Sequence, residues 1–184
     1  MTTRSEAFAA QAASDLDAYE VLVGSNLPSS HRLHYLQMWL EKLCKAYLWL
    51  PEAAADDLRT KHNVVDKVLP RIIGEHWRRI GFVQRPDIAS IRQLCREVDL
   101  LHPQVDDNDR RPDNVEYPWT GTSGEVEVPA RWEFPLVRRP YSNSGRLLLK
   151  AAVSLTRNPA VFIQQVGAPG DAVLMSYVPE QEPR

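Results

Sequence analysis

The amino-acid sequence predicts a mainly α-helical fold: an up-and-down bundle of four or five helices, with an extended proline-rich arm or a short hairpin before the last long helix. Two observations predict it. Apolar residues recur at spacings of three and four over several long stretches, as in amphipathic helices. Only three of the 14 prolines, Pro28, Pro51 and Pro70, precede Pro86. Since proline breaks helices, we expect the cleaner helices in the first half of the chain.

The first two helices are expected before Pro51. The first covers Ser5 to Val23, and the run Gly24-Ser25-Asn26 ends it. The second begins at Pro28-Ser29-Ser30, because proline is tolerated in the first turn of a helix. Pro51 ends it.

The second helix has two distinguishable faces. Glu41 and Lys45 are spaced as a favourable i,i+4 ion pair, which we expect on the outer face. The inner face carries the apolar stripe Leu33, Leu36, Leu40, Leu43, Cys44 and Tyr47.

The third and fourth helices are predicted from their capping and breaking residues. Asn63 is the expected N-cap of the third helix, which runs to Gly81 with Pro70 as a kink or break. Either Pro86 or Asp87 opens the fourth helix, and Pro103 closes it.

The region before the last helix is harder to assign. Residues 124–136 alternate between apolar and polar, but Pro129 and Pro135 argue against central strands, so a short hairpin or an extended arm is expected. Ser142 or Asn143 then caps a fifth helix, Gly145 to Arg157.

Length and composition favour one domain. A chain of 184 residues buries enough surface without a disulfide or metal, so we expect a helical core (1–103), an arm (104–141) and a last helix with a tail (142–184).

Cys44 and Cys95 fall on apolar stripes and are expected to be buried free thiols, which suits a cytoplasmic protein. The net charge of -2 excludes steering of the whole chain towards nucleic acid. No apolar run approaches the ~18–20 residues of a membrane span, so no membrane partner is expected.

Three segments resemble the HEPN superfamily. His31 to Tyr47 resembles the second helix of that family, with its histidine, Leu-Gln pair, Glu-Lys and Lys-Ala. Lys61 to Leu69 resembles the Thr-His-(Asn/Asp)-Leu-x-x-Leu entry to the third helix, and Tyr117-Pro118 resembles the Tyr-Pro that often precedes the last one. The matches come in the family's order over about Leu16 to Leu155. The resemblance implies an up-and-down bundle that often dimerises, in a bacterial toxin–antitoxin or phage-defence system or beside a nucleotidyltransferase.

The resemblance also implies candidate catalytic residues. Active members of the family are metal-independent ribonucleases with an arginine followed a few residues later by a histidine, and Arg96 and His102 have this arrangement. The histidine can transfer a proton while the arginine holds the scissile phosphate. Because six helical positions turn the chain by about 600°, the side chains converge only if the helix ends before His102, as Pro103 permits. The structural alternative pairs Arg96 with an acid and makes His102 a cap of the helix.

Four arginines near the end of the third helix are candidates for phosphate or RNA binding, although ordinary solvated arginines are the alternative. These are Arg71, Arg78, Arg79 and Arg85. Further arginines lie in the later loops: Arg110, Arg111, Arg131, Arg138 and Arg139. Trp77, Trp119 and Trp132 either stack bases near these arginines or fill the core.

The remaining histidines give weaker signals. His31 and His34 lie three residues apart on one helix face, but no cysteine or carboxylate completes a metal set, so no metal or cofactor is expected. His34 is expected to face the bundle. Arg59 and His62 form either a compact basic pair or, for His62, part of the start of the third helix.

Three functions stay open at this point. The first is an interaction module without catalysis, a subunit of a bacterial defence or toxin–antitoxin assembly whose arm, residues 110–141, wraps another subunit or a second copy. The second is a metal-independent endoribonuclease that uses Arg96 and His102. The third is an RNA- or nucleotide-sensing module that binds through the arginine-rich third helix.

Overall fold

The computed structural model describes residues 4–48, 61–105 and 112–159, and in these ranges the mainly α-helical prediction is confirmed. The α-helices are α1 (Arg4–Val23), α2 (Ser29–Tyr47), α3 (Val65–His76), α4 (Ile88–Asp99) and α5 (Asn143–Arg157). Between α4 and α5 lie the strands β1 (Trp119–Thr120) and β2 (Val126–Glu127) and the 3₁₀ helices Pro129–Arg131 and Pro135–Tyr141.

Helices α1 and α2 form an antiparallel hairpin. At one end, the hydroxyl of Ser5 donates to the carbonyl oxygen of Ala46 across 2.8 Å. Further along, the rings of Tyr19 and Trp39 pack with centroids 5.7 Å apart. Trp39 is fully buried, and α2 is the central helix against which the other elements pack.

Helices α3 and α4 form a second antiparallel hairpin, which is closed by a cap that local rules did not predict. The buried carboxylate of Asp99, at the end of α4, accepts hydrogen bonds from the backbone N–H groups of Val65 (3.2 Å) and Asp66 (2.9 Å). The prediction that Asn63 caps α3 is therefore wrong, because a tertiary contact satisfies these donors instead. The helix runs through Pro70 and ends at His76, before the predicted limit.

The start of α4 agrees with the prediction. The side chain of Asp87 accepts hydrogen bonds from the N–H groups of Ala89 (3.0 Å) and Ser90 (3.3 Å), as expected of an N-cap. Helix α4 ends at Asp99, three residues before His102.

Residues 112–141, called the arm below, fold back onto the bundle. The short hairpin is confirmed: β1 and β2 pair antiparallel, with Trp119 opposite Glu127. Four apolar side chains of the arm are buried with the helices: Val115, Trp119, Phe134 and Leu136. The described part of the arm is thus a layer of the domain that packs against the helices.

Helix α5 is joined tightly to the arm. The hydroxyl of Ser142 accepts from the N–H of Gly145 (3.1 Å), which confirms the predicted cap. A Cβ atom on Gly145 would overlap the carbonyl oxygen of Arg139 and lie 2.7 Å from the Cα of Pro140. Only glycine therefore allows this close approach of the second 3₁₀ helix.

Several predictions can be placed only partly. Cys44 and Cys95 are buried free thiols, as predicted. No helix in the described ranges has the length and apolar character needed to cross a membrane. The connection predicted over residues 52–60 and the elements predicted beyond residue 159 lie outside the described residues.

Candidate functional site

A group of buried and partly buried charged and imidazole side chains lies where the two helical hairpins meet. We call it the histidine cluster: Glu41, Lys45, His62, His102 and Glu116. It draws one or two residues each from α2, the approach to α3, the turn after α4 and the start of the arm.

The ion pair of Glu41 and Lys45 is the base of the histidine cluster. Their side chains are 6% and 3% exposed and lie 2.7 Å apart. The prediction of an outer-face pair is therefore wrong. Burial alone would raise the pKa of Glu41, but the hydrogen bonds and charges of Lys45 and His62 outweigh it and lower that pKa. The side-chain N–H of Gln37 also donates to Glu41 across 2.7 Å, so the carboxylate is held ionised by three donors.

His62 is oriented by Glu41. Its Nδ1 lies 3.2 Å from Oε2 of Glu41, and because a carboxylate can only accept, Nδ1 carries the proton of this contact. The ring of His62 stacks on that of His102, with centroids 3.6 Å apart and planes 7° from parallel. The stack joins the entry to α3 with the turn after α4.

His102 is held in the neutral form. Its Nδ1 accepts the backbone N–H of Gln104 across 3.2 Å, so the proton of the neutral ring sits on Nε2. That Nε2 lies 3.9 Å from Oε1 of Glu116. Burial, followed by the charge of His62, lowers the pKa of His102 to about 4. At neutral pH the ring is therefore uncharged. The His102 side chain is only 10% exposed.

Glu116 is positioned by a short turn at the start of the arm. The side-chain oxygen of Asn114 accepts the N–H groups of Glu116 (2.9 Å) and Tyr117 (2.7 Å), and Val115 donates its N–H to the carbonyl of Leu101 (3.1 Å). This places the Glu116 carboxylate 3.7 Å from Nδ1 of His34. His34 is half-buried, and burial lowers its pKa while the charge of Glu116 partly opposes the shift.

Arg96 is not part of the histidine cluster. Its side chain is exposed on α4, and within the described ranges no hydrogen bond, ion pair or ring contact joins it to His102 or to an acid. Its neighbour Glu97 binds Arg139, and Asp99 caps α3. The geometric condition for convergence is met, since α4 ends at Asp99, but the two predicted catalytic side chains are not in contact.

The four arginines predicted to bind phosphate have different surroundings. Arg71 pairs with Glu75 on the same helix (3.2 Å). The guanidinium of Arg78 lies 4.9 Å from the centroid of the Trp77 ring. Arg79 and Arg85 are exposed at the same end of the molecule.

Lys150 of α5 adds a cation at the end of the molecule where these arginines lie. The sequence analysis did not predict it. Its ammonium group donates to the carbonyl of Gly81 (3.0 Å) and lies 5.1 Å from the centroid of the Phe82 ring. Nearly 70 residues separate Lys150 from Gly81, so no local pattern could reveal this contact.

The other candidates resolve as follows. Trp119 is buried against Trp132 and fills the core, and Trp77 lies under Arg78. His31 is exposed while His34 faces the cluster. No group of three or more His, Cys, Asp or Glu side chains among residues 4–48, 61–105 and 112–159 is arranged to hold a metal ion. Arg59, Arg110 and Arg111 lie outside those ranges.

Comparison with known proteins adds no relative. No protein-family model, no curated protein and no solved structure matches the chain. The likeness to the HEPN superfamily therefore rests on the three sequence segments given above.

Proposed function

We propose that this chain is a HEPN-like interaction module without catalysis of its own, a subunit of a bacterial defence or toxin–antitoxin assembly. One observation carries the proposal: the histidine of the Arg96/His102 pair is packed into the histidine cluster, while the arginine is out of contact with it.

Metal-free cleavage of RNA requires a group that takes the 2′-hydroxyl proton and a cation that holds the phosphate. His102 has a lowered pKa, and one face of its ring is covered by His62. The carboxylate of Glu116 lies 3.9 Å from His102 and would repel a phosphate. The surroundings of His102 therefore favour a structural role.

The proposal is tested by expressing the chain alone and in its native cells. Alone, it should leave growth unchanged, and the His102→Ala variant should behave in the same way. In native cells, the tagged chain should elute in an assembly larger than a monomer or dimer of itself, together with a distinct protein at fixed stoichiometry. Growth arrest by the chain alone, or elution only as free chain, would contradict the proposal.

A metal-independent endoribonuclease is the second candidate, because the stack brings two proton-transfer groups together. When neutral, His62 carries its proton on Nδ1, towards Glu41, and its Nε2 is an acceptor, whereas neutral His102 carries its proton on Nε2. One ring could take a proton and the other give one. This candidate predicts that the chain arrests growth, and that His102→Ala and His62→Ala each relieve the arrest. Arg92→Ala is the control, and it should not relieve the arrest. Arg92 is exposed on the same helix as Arg96.

A further inference from the structure

A surface cavity of about 540 Å³ opens between the end of α4 and the arm. This volume lies within the range of roughly 300–1,000 Å³ that is typical of ligand sites. We call it the arm groove. It is lined by Glu97, Asp113, Trp132, Glu133, Leu136 and Arg139, together with Pro135.

One wall of the arm groove is a preformed aromatic surface. The ring of Trp132 stands edge-on against that of Trp119, with centroids 5.4 Å apart and planes 86° from parallel. Trp119 in turn packs against the buried ring of Phe134 (6.5 Å). Trp132 is 36% exposed, so part of its side chain is accessible to solvent while its ring packs against Trp119. No cation lies over this ring in the described part of the chain, in contrast to Trp77.

The charges of the arm groove favour a cation. Its lining holds the carboxylates of Glu97, Asp113 and Glu133 and the guanidinium of Arg139. The guanidinium of Arg139 is already bound by Glu97 through two hydrogen bonds of 3.1 and 2.9 Å. Among the described residues, Glu133 pairs with the 85%-exposed Arg138, and such an exposed pair is weak and easily exchanged.

We propose that the arm groove binds an arginine side chain presented by a partner protein. A guanidinium can lie flat on the Trp132 ring and at the same time form paired hydrogen bonds with a carboxylate such as Glu133. An ammonium group offers only a point charge and has no plane to stack, so lysine fits less well. The inference rests on the proposed interaction function and specifies the chemistry of the partner.

The probe is the peptide acetyl-Gly-Gly-Arg-Gly-Gly-amide, and its citrulline counterpart serves as the uncharged isostere. The readout is the indole N–H signal of Trp132 in a ¹H–¹⁵N spectrum of the full chain. The signal is assigned, among the five tryptophans, by its loss in Trp132→Phe. The arginine peptide should shift this signal at low salt in a saturable way, and 0.5 M salt or citrulline should abolish the shift. Glu133→Gln should weaken binding by up to about 5-fold, as expected for the loss of one exposed ion pair.

Glu125→Gln is the matched control, because Glu125 is equally exposed on the arm but lies outside the groove lining; it should bind like the parent. An unchanged Trp132 signal at millimolar arginine peptide, or equal binding of the citrulline peptide, overturns the inference. The proposed function is tested separately: a chain that is harmless alone and assembles with a partner keeps that function even if the peptide fails to bind. A chain that arrests growth loses it even if the peptide binds.

Discussion

The histidine cluster and the arm groove contain the same kinds of side chain and use them differently. Each combines carboxylates, a cation and stacked or edge-on rings. In the histidine cluster the Glu41–Lys45 pair is almost fully buried and the rings cover one another. In the arm groove the corresponding pair, Glu97–Arg139, is 24% and 44% exposed, and the Trp132 ring faces solvent.

The difference shows that residue type alone does not identify a functional site. The histidine cluster satisfies its charges within the chain and joins the helical hairpins to the arm. The arm groove keeps the weakly paired carboxylate of Glu133 and the Trp132 side chain at the surface. Burial is thus what assigns a structural role to one region and a binding role to the other.

The largest expected effect comes from breaking the ion pair at the base of the histidine cluster. Lys45→Met leaves the carboxylate of Glu41 buried without its main partner, so the free energy of unfolding should fall by about 3–5 kcal/mol. The double variant Glu41→Gln/Lys45→Met should recover most of this loss. Urea denaturation measures both. A loss below about 1 kcal/mol in Lys45→Met would mean that the pair is solvated.

The pH dependence of stability is the second prediction. The folded pKa of His102 is lowered to about 4, whereas in the unfolded chain it is about 6.5. The unfolded state therefore binds the extra proton first, and the contribution of His102 is fully present above pH ~6.5 and lost as the pH falls towards 4. The loss should be about 3 kcal/mol.

This dependence has to be measured as a difference. Burial raises the pKa of Asp99, which contributes a slope of the opposite sign in the same pH range. Urea unfolding should therefore compare the parent with His102→Gln between pH 4 and 7.5. The advantage of the parent should shrink by about 3 kcal/mol as the pH falls. Parallel curves would show that His102 titrates normally and is accessible.

The third prediction disturbs the arm while leaving the histidine cluster intact. Gly145→Ala places a Cβ atom against the backbone at Arg139 and Pro140, so it should destabilise the fold by about 2 kcal/mol and shift the signals of the arm groove. In Gly74→Ala the new Cβ would lie 3.6 Å from the Ile88 side chain, an ordinary contact in a helix. That control should stabilise by about 0.5–1 kcal/mol. Equal thermal stability of the two variants would contradict the docking of the arm onto α5.

The smallest effect is expected at the ion pair of the arm groove. Arg139→Ala removes a partly exposed pair with Glu97, so it should cost no more than about 1 kcal/mol of unfolding free energy. It should also tighten binding of the arginine peptide, since the lining becomes more negative. A cost as large as that of Lys45→Met would remove the distinction between the two regions.

The helices could be predicted from the sequence because their signals are local. The stripe of α2, the Asp87 cap and the Ser142 cap each depend on residues within a turn or two of one another. The buried face of α2 could be predicted only in part, because the i,i+4 spacing of Glu41 and Lys45 is the same whether solvent or protein covers it.

The histidine cluster could not be predicted, because its members are far apart in the chain. His62 meets His102 across a whole helical hairpin, and Glu116 joins them through the turn set by Asn114. The prediction of the α3 cap was wrong for the same reason. The residue that accepts from the N-terminus of α3 is Asp99, which lies on another helix. Sequence spacing singled out His102 and gave no sign of its partners.

The role proposed for His102 is to stabilise the fold, without cleavage of RNA. The most direct test incubates the purified chain with mixed RNA in EDTA, beside Arg96→Ala and His102→Ala. The account predicts intact RNA in every sample and a lower unfolding free energy for His102→Ala alone. Cleavage by the parent that is lost in both folded variants would contradict it and establish the ribonuclease. If the RNA stays intact but binds to the chain with a steep dependence on salt concentration, the RNA-sensing module would be favoured instead.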